Sequence, residues 1–83
     1  MTDREKLRQV LLGENFTVGE KAVVMWQMGL LGSFNKALWE AIARADEENL
    51  MKLSFGFPDE VMGYRAWSHG DLAKRLRAAG LEI

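Results

Sequence analysis

Apolar residues recur at helical spacing along nearly the whole chain, and the breaks in that pattern divide it into five or six short segments. Leu7, Val10 and Leu11 share one face, preceded by Thr2 and Glu5 at capping-box spacing and followed by Gly13 as a natural stop. This predicts a helix over 3–12. The capping signal returns at Thr17 and Glu20, and a second helix is expected from Val18 to Met28. On a wheel of about 100° per residue, Val18, Ala22, Met25, Trp26 and Met28 span one side of it, with Val23 and Val24 outside. β-branched residues here would also suit a strand, but length and cap favour helix.

Gly29 and Gly32 punctuate the chain before Ser33, read as the cap of a third helix. Phe34, Leu38, Ala41, Ile42 and Ala45 form its stripe, with Trp39 on the flank and Lys36, Glu40 and Arg44 on the solvated back. Asp46 caps a fourth helix that carries Glu47 and Glu48 in its first turn, buries Leu50 and Leu53, and ends at Gly56. Pro58 opens a fifth, with Asp59 and Glu60 at its favourable end and Val61, Tyr64 and Trp67 at i,i+3 spacing. Ser68 and Asp71 offer a cap for a last helix bearing Leu72, Ala73, Leu76 and Ala79, which stops at Gly80. The expected fold is all-α, a compact bundle of five or six short helices around a single core, in one domain over 1–83.

Composition adds a constraint. A chain of 83 residues buries only roughly 60% of the surface its unfolded form exposes. Yet 48% of its residues are hydrophobic, three Trp and five Met among them, so a leftover apolar surface is expected. The absence of cysteine excludes disulfides and thiolate chemistry. The densely charged start, Thr2 to Lys6, does not look like a signal peptide, and the most apolar stretch, Ala22–Leu31, is too short to span a membrane. A cytoplasmic protein is the expectation.

Net charge is −1, but unevenly placed. Glu40, Asp46, Glu47, Glu48, Asp59 and Glu60 face only Arg44 and Lys52 within residues 40–60, whereas Arg65, Lys74, Arg75 and Arg77 face only Asp71 within 61–79. The single histidine, His69, lies in an expected turn; carboxylates lack calcium-loop spacing and glycines lack phosphate-loop spacing. No catalytic residue, metal or cofactor is therefore expected. Two binding features remain. Met25, Trp26, Met28 and Trp39, with the acidic Glu47, Glu48, Asp59 and Glu60, are candidates for a protein partner, because Trp and Met are enriched where partners bind. Alternatively, Arg65, Lys74, Arg75 and Arg77 could contact phosphates of a nucleic acid.

The order Phe34…Leu38…Ala41-Ile42…Ala45-Asp46…Asn49…Leu53…Phe57-Pro58…Glu60-Val61 resembles a pattern in small proteins of bacteriophages, prophages and integrative elements. The resemblance covers about the middle third of the chain and brings no catalytic residues. It implies a mobile-element context inside a bacterial host, and with it a protein that acts by binding a host complex, an anti-CRISPR-like inhibitor of host defence being one concrete form. A helical nucleic-acid-binding regulator and a homo-oligomeric virion assembly protein are the alternatives.

Overall fold

The computed structural model describes residues 2–83, which form six helices: α1 (Asp3–Leu12), α2 (Val18–Gln27), α3 (Ser33–Arg44), α4 (Glu47–Gly56), α5 (Pro58–Ser68) and α6 (Leu72–Ala78). The chain is an all-α bundle, and no strand occurs among the described residues. Its extents are 41 × 26 × 19 Å.

Most helix starts follow local chemistry. The Thr2 hydroxyl accepts from the Glu5 amide, and Thr17 and Glu20 satisfy each other's backbone reciprocally, which secures α2 against the strand alternative. Asp46 accepts from the Asn49 amide at 2.8 Å, and Pro58 occupies the first turn of α5. Two expected caps are different. Ser33 lies inside α3, whose N-cap is Gly32 with no side-chain bond. Ser68 belongs to the end of α5, where its hydroxyl donates to the Tyr64 carbonyl, and Asp71 caps α6 by position only, its carboxylate being taken by Arg75. Gly80 ends α6 at φ +98°, a left-handed conformation that glycine adopts without strain.

The centre of the molecule is the crossing of α2 and α5 at two glycines, Gly19 and Gly63, both buried. A Cβ on Gly63 would collide with the Gly19 carbonyl, and one on Gly19 would collide with the Asp59 carbonyl. The backbones thus touch where side chains would hold them apart. Glycine in a helix interior costs about 1 kcal/mol relative to alanine, so the close approach is what these two positions contribute.

Around this crossing the core has two parts. Val10, Val23, Val24, Trp39, Leu72, Leu76 and Leu81 form one buried cluster; Leu38, Ile42, Leu50 and Val61 form the other, and Tyr64 packs against both. The burial of α2 corrects the wheel drawn from its apolar residues. Val23 and Val24 are fully buried, whereas Val18 and Met28 on the expected inner side are exposed. The reason is Glu20: the buried arc runs through Gly19, Glu20, Val23 and Val24, and hydropathy counts its carboxylate as an outward residue. On α3 the order is similarly rotated, with Trp39 buried and Phe34 exposed, its ring tilted 6.5 Å from that of Phe57.

Candidate protein-binding face

Helices α4 and α5 are joined by one residue, Phe57, and so fold back on each other as an antiparallel hairpin. Leu50, Leu53, Phe57 and Val61 turn inward to the second cluster. Near the open end, Arg65 donates to Glu47 at 2.5 and 3.4 Å, which marks the face on which both helices meet solvent. Met51 lies one turn beyond Glu47 on α4, and Met62 one turn before Arg65 on α5, so both belong to this outer face; Phe55 follows Met51 one turn later. Phe55 is 82%, Met62 67% and Met51 56% exposed. Three large apolar side chains on one hairpin face contrast with the nearly complete burial of the core positions.

Acidic groups surround that strip. Glu48, paired with Lys52 at 3.5 Å, and Glu47 lie on α4, and Asp59 on α5, all three exposed. The hydrogen bond from Arg65 holds the Glu47 carboxyl below the usual carboxylate range against a small desolvation, with the charges of Arg65 and His69 adding to it. The same bond raises Arg65. Sequence reasoning named the acids as candidates and did not single out the exposed Met51, Phe55 and Met62. A signal was present, since Leu50, Met51, Leu53 and Phe55 are too many apolar residues for one side of a short helix.

The expected apolar half of the site lies elsewhere. Trp39 is 1% exposed and cannot meet a partner; Trp26, half-buried, stacks on it at 5.2 Å and 22° and tilts against Tyr64 at 6.5 Å. This pairing of aromatic rings is core packing. Met25 lines a crevice with Ala22, Leu31 and the half-buried Glu60, and Met28 lines a hollow of about 360 Å³ between α1 and the chain end, with Leu7 and Leu81. Glu60 is thereby separated from Glu47, Glu48 and Asp59, which stay on the hairpin's outer side.

The basic candidates are mostly occupied within the chain. Arg75 binds the Glu20 carboxylate and, through Nε, Asp71 at 3.0 Å, and its guanidinium lies 5.6 Å from the centre of the Phe16 ring. Burial pushes the Glu20 carboxyl up, but hydrogen bonds from Arg75 and the Thr17 backbone, with the Arg75 charge, outweigh it and hold it below its ordinary value. Hydrogen bonds to Glu20 and then Asp71 raise Arg75. Arg65 is held by Glu47, and Arg77 Nε donates to the Ile83 carbonyl at 2.9 Å. Only Lys74 of the four makes no ion pair or side-chain hydrogen bond among the described residues.

His69 is exposed at the end of α5, and among the described residues no group of three or more His, Asp or Glu side chains converges to hold a metal ion. No described helix is long and apolar enough to cross a membrane. Neither a protein-family model, nor a curated protein, nor a solved structure matches this chain.

Proposed function

We propose that this protein is a small accessory protein of a mobile genetic element that acts without catalysis, in the cytoplasm of a bacterial host, by binding another protein in fixed stoichiometry. The observation that carries the reading is the apolar strip of Met51, Phe55 and Met62 on the α4–α5 hairpin. Contiguous exposed apolar side chains rimmed by polar groups mark interaction sites on otherwise well-packed domains. The resemblance to phage and prophage proteins supports a host complex as the partner, and inhibition of a host defence complex as the outcome.

A photo-crosslinking residue in place of Phe55, expressed in a bacterial host, tests this. A discrete adduct with one host protein is expected, and none from the same residue placed at Glu40 on the solvated back of α3. Recovery of the uncrosslinked chain alone overturns the reading. Adducts of the chain with itself replace it by the assembly-protein alternative. The nucleic-acid alternative is less favoured, because Arg75 is engaged by two carboxylates of the chain itself, Glu20 and Asp71, and Arg65 has Glu47 beside it.

A further inference from the structure

We propose that the outer face of the α4–α5 hairpin receives a basic amphipathic helix of the partner; this rests on the protein-binding reading above and adds the chemistry of the occupant. The strip supplies the apolar half of such recognition. Phe55 is a wide anchor, and Met51 and Met62 are unbranched thioethers that adapt to the side chains laid against them. An amphipathic helix meets a surface of this kind with residues at i, i+3, i+4 and i+7.

Charge decides which helix. Residues 46–60 hold five carboxylates, Asp46, Glu47, Glu48, Asp59 and Glu60, against Lys52 as their one cation. Glu60 turns away from the strip and Asp46 is taken up as the cap of α4, while Lys52 is paired with Glu48 and Arg65 with Glu47, so the rim keeps the Asp59 carboxylate in excess. Both pairs are solvent-exposed and therefore weak, and a partner's Lys or Arg can exchange into them. A second copy of this face would bring more carboxylates than cations, and a nucleic acid would bring only phosphates; neither neutralises the rim. A helix with Lys and Arg flanking an apolar stripe meets attraction on the rim and burial at the centre.

The test uses the full chain and two short designed peptides with the same leucine stripe, one with lysine and one with glutamate at the remaining positions. The lysine peptide is expected to bind and gain helicity, to shift backbone amide resonances mainly within residues 47–66, and to weaken about tenfold as salt screens the rim. The Phe55→Ser, Met62→Ser double variant, altered only at exposed side chains, is expected to keep the fold and lose the binding. Equal binding of both peptides, preference for the glutamate peptide, binding of neither, or resonance shifts centred elsewhere overturns the proposal. The crosslink from position 55 separates the two levels. An adduct within an acidic or extended segment of a host protein removes the basic helix and leaves the binding function standing, whereas no adduct removes both.

Discussion

At the scale of single residues, Glu20 carries more of the structure than its polar character suggests. It closes the capping box of α2, and its second oxygen receives Arg75 from α6, fifty-five positions along the chain. Because its carboxyl is held below the ordinary value of 4.5, the ionised form is stabilised in the folded state. That contribution is fully present above the unfolded value and is lost as pH falls through the lower folded one. Glu20→Gln retains a capping side chain but not the ion pair. Asp71 still neutralises Arg75, and the guanidinium is partly in water, so the expected cost at neutral pH is about 1–2 kcal/mol. Thermal unfolding of both forms from neutral to acid pH checks this: the gap in Tm should close below about pH 4.5. A gap independent of pH would mean that packing, not charge, makes the difference.

At the scale of elements, helix positions were largely legible and helix rotation was not. Caps at Thr2, Thr17 and Asp46 and the opening proline, Pro58, are local events among neighbouring residues, and they lie where their spacing predicts. The side each helix buries depends on what crosses it. For α2 that is α5, brought to backbone contact by Gly19 and Gly63, two glycines that local reading did not single out among its turn and stop signals. Helix propensity alone says that Gly63→Ala stabilises by about 1 kcal/mol. Overpacking against the Gly19 carbonyl reverses the sign, and a loss of about 1–3 kcal/mol is expected, roughly 4–8 °C in Tm for each kcal/mol. Gly56→Ala is the control, since a Cβ there meets nothing within 4 Å. Denaturant unfolding of the two variants should give opposite signs.

Across the whole molecule, charge and apolar surface are arranged so that the two ends behave differently. At the basic end Arg65, Arg75 and Arg77 are engaged at the surface by Glu47, by Glu20 and Asp71, and by the Ile83 carbonyl, while the acidic hairpin keeps an apolar strip in water. Phosphate binding requires cations free to displace the counterions condensed on a nucleic acid. Titration with duplex and single-stranded DNA at low salt is accordingly expected to show no specific complex; affinity abolished by replacing Arg75 and Arg77 would show instead that these side chains leave their internal acceptors.

What the amino-acid sequence determined by itself is the helical class, a count of five or six helices and most of their ends, because periodicity, caps and glycine or proline stops act over a few residues. It also located the exposed carboxylates at helix starts, where the dipole favours them whatever the surroundings. Only the tertiary structure decided which apolar residues face water. Trp39 and Val23 go inside, and Phe55 and Met62 outside, although all four are apolar side chains at helical spacing. That choice rests on a glycine crossing and on a buried carboxylate paired across the fold, contacts between positions distant in the chain that no local spacing records.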